Sequence, residues 1–205
     1  MRIVLVAATL VATAMPAFAH TGVGPHGGLA AGFTHPLLGL DHLLAMIAVG
    51  LFAAARGGKA LWLVPLAFVA MMAGGGALAM AGIQVPMVEL GIALSVVVLG
   101  AAVALRLSLP VAGAMALVGA FALFHGHAHG AEIPAGASAL TYAAGFVAAT
   151  AMLHGIGIAI GMAAGYGSRR TGQWAVRSAG SVMALAGVGM LAGVLCSAAS
   201  HRPVR

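Results

Sequence analysis

The chain has 205 residues, of which 62% are apolar and only 6% are Asp, Glu, Lys or Arg. Soluble domains carry about a quarter charged residues, so this composition excludes an ordinary water-soluble fold and predicts an all-α, polytopic membrane protein. The formal charge of +6 does not indicate nucleic acid, because the basic residues are scattered between long apolar runs in short loops, where the positive-inside rule accounts for them.

Residues 1–19 read as a cleavable signal peptide: Arg2 is the basic start, Ile3 to Met15 the apolar core, and Ala17-Phe18-Ala19 a small-x-small cleavage site. An uncleaved first helix is the alternative, but about thirteen apolar residues fall short of the roughly twenty that a span needs. Residues 20–32, glycine-rich and with Pro25, read as a flexible periplasmic segment carrying His20 and His26. Six apolar spans are then expected at about 33–55, 60–81, 86–106, 109–128, 139–165 and 176–198, within a membrane domain of 33–200, followed by a periplasmic tail at 201–205. With the first span running inward, Arg56, Lys59, Arg106, Arg169, Arg170 and Arg177 fall inside and only Arg202 and Arg205 outside. That asymmetry predicts a bacterial inner-membrane protein with both mature ends in the periplasm.

The single cysteine, Cys196, excludes an internal disulfide and a cysteine-rich metal cluster. Glycine, with 31 copies, costs about 1 kcal/mol against alanine in a helix in water, but in lipid it lets helices approach closely. Gly157, Gly161 and Gly165, Gly126 and Gly130, and Gly189 and Gly193 are therefore read as packing positions. The run Gly74-Gly75-Gly76 is read mainly as packing, with a hinge as the other option.

An ionisable group at the bilayer centre costs roughly 2.5–3.5 kcal/mol even on a lenient scale, so such groups normally serve a function. The acids are Asp41, Glu89 and Glu132, and by the expected topology neither an acid nor a histidine lies in a cytoplasmic loop. The stretch His35 to Met46 reads H-P-L-L-G-L-D-H-L-L-A-M. On a helix numbered from Pro36, His35, His42 and Met46 fall near one stripe, and Asp41 points about 100° from His42. The fourth span ends in F-H-G-H-A-H-G-A-E, residues 124–132. Here His125 and His129 share a face, His127 points away, and Glu132 lies just beyond. His154 stands in the fifth span. A lone buried histidine is more often a hydrogen-bonded core residue; histidines at similar depth in three spans point instead to a shared metal site.

The expected ligands are His35, Asp41, His42, His125, His129, His154 and Glu132, with His20 at the mouth and Met46, Glu89, His127 and His26 as weaker members. Asp41 is read either as a ligand or as the group that orients the His42 imidazole through its second nitrogen. Glu89 either joins the site or sits with water at headgroup level. Imidazole with carboxylate suits nickel, cobalt, copper or zinc, whereas magnesium and calcium prefer all-oxygen sites.

These residues resemble the HupE/UreJ family of membrane proteins, nickel (in some members cobalt) permeases associated with hydrogenase and urease systems. The resemblance rests on H-P-x-x-G-x-D-H-x-x-A-M, met by His35, Pro36, Gly39, Asp41, His42, Ala45 and Met46. It continues in F-H-G-x-A-H-G-x-E, met by Phe124, His125, Gly126, Ala128, His129, Gly130 and Glu132. It ends in L-H-G-x-G, met by Leu153, His154, Gly155 and Gly157, and it includes a leader followed by a histidine. His127 falls at a variable position of this pattern. The resemblance implies a metal-ion permease and does not separate nickel from cobalt.

No G-x-x-x-x-G-K-[ST] phosphate loop occurs in the sequence, which argues against ATP-driven pumping by this chain alone. The expected function is secondary import of a divalent transition-metal ion, Ni2+ first and Co2+ second, as transported substrate and without an organic cofactor. Three alternatives are an intramembrane zinc hydrolase, a haem b electron carrier and a membrane assembly subunit of a metalloenzyme system. Expected partners are the metal ion and the bilayer, not nucleic acid. A homo-oligomer is left open.

Overall fold

Long apolar runs in which proline is rare satisfy their backbone within helices, and in lipid no other open structure does so. The computed structural model describes residues 28–134, 136–166 and 169–200, and every regular element among them is a helix. In chain order these are α1 (Gly28–Leu38), α2 (Leu40–Arg56), α3 (Ala60–Met80), α4 (Val88–Ala104), α5 (Val111–Ala131), α6 (Ala139–Tyr166) and α7 (Arg169–Ser200). The expected leader at 1–19, the histidines His20 and His26, and the tail with His201 lie outside the described residues.

Four helices, α3, α5, α6 and α7, are each long and apolar enough to cross a membrane. Large apolar side chains such as Trp62, Leu66, Leu185 and Leu195 are exposed on their outer faces. In water this would be costly; against lipid tails it is not. The chain is a multi-pass membrane protein. The central element is α2, which touches each of the other six helices. Its Met46, Val49, Leu51 and Phe52 are fully buried, together with Phe68 of α3 and Leu99 of α4.

The first expected span, 33–55, is not one straight helix. α1 and α2 meet at an 82° bend. Gly39 between them is extended (φ −83°, ψ 116°), and Pro36 in the last turn of α1 lacks an N–H for the helix ladder. The single stripe expected for His35, His42 and Met46 is therefore broken at Gly39. α1 also begins at Gly28, so Gly28 to Gly32 are helical rather than part of a flexible 20–32 segment. Tertiary contact overrides the poor helix propensity of glycine here. Gly32 lies against the Tyr142 backbone and Gly145 against the Leu29 carbonyl, so α1 and α6 approach where neither carries a side chain. The last helix starts at Arg169 rather than near 176, because the Arg169–Arg177 stretch contains no proline to stop it.

Glycines recur at the other main helix crossings. Gly50 of α2 faces Gly157 of α6, Gly75 of α3 faces Leu123 of α5 and Gly126 of α5 faces Met72 of α3, and Gly100 of α4 faces Gly180 of α7. Gly157, Gly161, Gly126 and Gly130 pack as expected. Gly165, Gly189 and Gly193 have open space around them, so they hold no helix contact among the described residues. The Gly74-Gly75-Gly76 run lies within an unbroken α3 and packs Gly75 on α5.

Candidate metal centre

The first turn of α2 and the last turns of α5 end at the same face of the bundle, and three imidazoles meet there. His42 Nδ1 lies 2.8 Å from His129 Nε2 and 2.9 Å from His125 Nδ1. His42 and His125 are buried and His129 nearly so. The spacing of four between His125 and His129 places both on the α5 face toward α2, as expected. Phe146 of α6 closes the side, its ring 5.1 Å from that of His42 and 4.6 Å from that of His129.

Proton positions in this cluster follow from counting donors. Ser95 of α4 is not anticipated from the sequence, where nothing sets it apart from any small polar residue in a helix. Its hydroxyl donates to the Ile92 carbonyl at 2.6 Å and so accepts from His125 Nε2–H at 2.7 Å. That leaves the lone pair of His125 Nδ1 facing His42. The Nε2 of His42 is buried without a hydrogen-bond partner, a vacant position to which its proton can move. The three inward nitrogens can then all be lone pairs, a donor set suited to a borderline transition metal.

A second group adjoins the first. Glu132, just past the end of α5, places Oε2 3.2 Å from His129 Nδ1 and 3.2 Å from His35 Nε2 on α1. The imidazoles of His129 and then of His35, each 3.2 Å away, hold the half-exposed Glu132 carboxyl down, at about 2. The His35 ring stands edge-on to that of His129 at 4.7 Å. His35, His129 and Glu132 thus form a second set of three possible ligands, and His129 belongs to both sets. An apolar cavity of about 230 Å³, lined by Met72, Met80, Tyr142 and Phe146 among others, opens beside His129.

Other expected ligands lie elsewhere. Asp41 neither joins these sets nor reaches the His42 imidazole: its Oδ1 accepts the backbone N–H of His42 at 2.7 Å. A carboxylate is favoured there because it satisfies an orphan N–H at the positive end of α2. His154 is buried, and neither of its nitrogens has a partner, but it is not part of the triad. It stands eight residues, about 12 Å of helix, beyond Phe146 on α6. The Phe68 ring lies 6.0 Å from that of His125 and 5.3 Å from that of His154. Met46, one turn below His42, belongs to the apolar core. Glu89 is exposed in the first turn of α4 and makes no side-chain hydrogen bond among the described residues. His127 does point away, as expected. Its Nε2 lies 2.9 Å from the Ile83 carbonyl and 3.3 Å from Val85 N, holding the α3–α4 connection.

The cluster lies near the helix ends. His42 is the third residue of α2 and His129 the third from the end of α5.

Comparison with known proteins finds a family and a relative for the chain. The family model described as "HupE / UreJ protein" matches residues 8–190. The chain is 50% identical over 186 residues to "Protein HupE" of Rhizobium leguminosarum bv. viciae, covering 90% of this chain and 96% of that protein. No solved structure matches the chain.

Proposed function

The chain belongs to the HupE/UreJ family, and from that premise we propose that it is a secondary importer of a divalent transition-metal ion, Ni2+ first and Co2+ second. The observation that carries the reading is the convergence of His42, His125 and His129, with ring nitrogens 2.8 and 2.9 Å apart inside an apolar bundle. Three buried imidazoles turn nitrogens toward one another, and a metal ion is the partner that all three can share.

In this reading the bent α1–α2 pair counts as one span and α4 as another. The bundle then crosses the bacterial inner membrane six times, with a cleaved leader and both mature ends outside. The basic end, with Arg56, Lys59, Arg106 and Arg177, faces the cytoplasm, and the histidine end faces the periplasm. His20 and His26 collect metal at the mouth. Glu132 and His35 receive it, the histidine triad strips its water, and His154 lies further along the route. A helix rearrangement releases the ion inward. The membrane potential supplies about 4.6 kcal/mol per 100 mV for a doubly charged ion.

A three-histidine set also occurs in catalytic zinc sites, where a base must stand over the metal-bound water. Here Glu132 is engaged by His35 and His129 and Asp41 by the α2 backbone. Transport is therefore the reading adopted, without enzymatic activity. The test is parallel uptake of radioactive nickel and cobalt by metal-starved cells with and without the protein, with His42→Ala alongside. Protein-dependent uptake of one metal, lost in the variant, is expected. No uptake of either metal by cells whose membranes contain the protein would overturn the proposal.

A further inference from the structure

His129 presents its two ring nitrogens to two different ligand sets. Nε2 faces His42 Nδ1 at 2.8 Å, in the buried set that also holds His125. Nδ1 faces Glu132 Oε2 at 3.2 Å, in the more open set completed by His35. A neutral imidazole has one lone pair and one N–H. It ligates through one nitrogen while the other donates a hydrogen bond, and here each nitrogen has an acceptor waiting.

We propose that His129 makes the two sets mutually exclusive stations for one divalent cation: an outer station of His35, Glu132 and His129 Nδ1, and an inner one of His42, His125 and His129 Nε2. This rests on the reading of the cluster as a metal-transport site. With the ion at the outer station, His129 Nε2–H donates to His42 Nδ1 and occupies the inner set. With the ion at the inner station, His129 Nδ1–H donates to the Glu132 carboxylate and occupies the outer set behind it. As the ion passes, Nε2 releases its proton to water and Nδ1 takes one from water, so the ring is neutral before and after. Two doubly charged ions on opposite sides of one ring would also repel each other. The protein thus admits ions one at a time, and the second waits until the first has left the inner station.

The test counts ions. Purified full-length protein and its His129→Ala variant are dialysed to equilibrium against saturating Co2+, and bound cobalt per chain is measured in each. Metal held elsewhere, on His20 or His26 for example, is common to both, so the difference reports the ions that depend on His129. One is expected. Two would overturn the exclusion while leaving a metal site in place; none would overturn the transport reading as well. His129→Gln, closer in size to histidine, repeats the count if the alanine variant does not elute as a folded species. His42→Ala and Glu132→Gln each remove a ligand unique to one station. Each is expected to keep the His129-dependent ion, with different cobalt absorption spectra, and the double variant to lose it. Loss of that ion in either single variant would show one joint site and overturn the division into two.

Discussion

At one end of the bundle, His35, His42, His125, His129 and Glu132 crowd together with ring nitrogens and a carboxylate about 3 Å apart. At the other lie Arg56, Lys59, Arg106 and Arg177, of which Arg56 and Arg177 pair with a hydroxyl and a backbone carbonyl instead of acids. Arg56 Nη1 donates to Ser108 Oγ at 2.9 Å, and Arg177 Nε donates to the Ala104 carbonyl at 3.0 Å, its guanidinium 5.2 Å from the Trp174 ring centre. The histidine end keeps polar groups buried and under-satisfied: His42 Nε2 and both nitrogens of His154 have no hydrogen-bond partner. At the basic end two guanidiniums find a loop hydroxyl and a helix-terminal carbonyl, an ordinary way to complete a helix terminus, although Arg56 Nε stays buried without a partner. The difference teaches that the close-set imidazoles and carboxylate, the groups a transition metal takes as ligands, gather at one end. That end is where a ligand is to be sought.

Substitutions at the two ends should separate sharply, and the largest effect belongs to the triad. His42→Ala or His125→Ala should cut nickel uptake by more than about 100-fold, beyond the roughly 10–100-fold typical of losing a group that merely orients a ligand. Radioactive uptake normalised to protein in the membrane measures it. Retained uptake in both variants would erase the distinction between the ends. Ser95→Ala comes next: without its hydroxyl the His125 tautomer is no longer set, and metal affinity of the purified protein should fall about 10–100-fold in a titration.

Gly126→Val should lower stability without altering the ligands directly. Its side chain would meet the Met72 carbonyl, so α3 and α5 must separate, at a cost of about 1–3 kcal/mol. Thermal unfolding in detergent should show the midpoint reduced by several degrees. The smallest effect is expected at the opposite end. Arg177→Ala gives up one hydrogen bond to Ala104, about 1 kcal/mol, and should leave the uptake rate unchanged. A large uptake defect in Arg177→Ala protein that is inserted and folded would show that the basic end takes part in transport.

Much of the candidate site is legible in the sequence because its residue types are rare in this setting. Among so many apolar residues, a histidine or acid in a span stands out by energetic cost alone. The four-residue spacing of His125 and His129 predicts their common face, and the same helical geometry turns His127 away from them. Asp41 cannot be read that way. A carboxylate next to a histidine fits a ligand or an orienting group equally well, and only the structure shows its Oδ1 on the His42 backbone N–H at the helix start that follows Gly39. Ser95 gives no signal because its role depends on α4 passing behind His125, 30 residues further along the chain.

The sequence by itself determined the helices, the apolar outer surfaces, the segregation of basic from histidine-bearing ends and the family. All of these follow from local composition and short spacings. Only the tertiary structure decided the 82° bend at Gly39, the absence of His154 from the triad, and the position of His129 in both candidate ligand sets. Those depend on how far helices slide and cross, which is set by glycine contacts such as Gly50 on Gly157 and Gly126 on Met72. Such contacts join residues distant in the chain, and periodicity along a single helix carries no record of them.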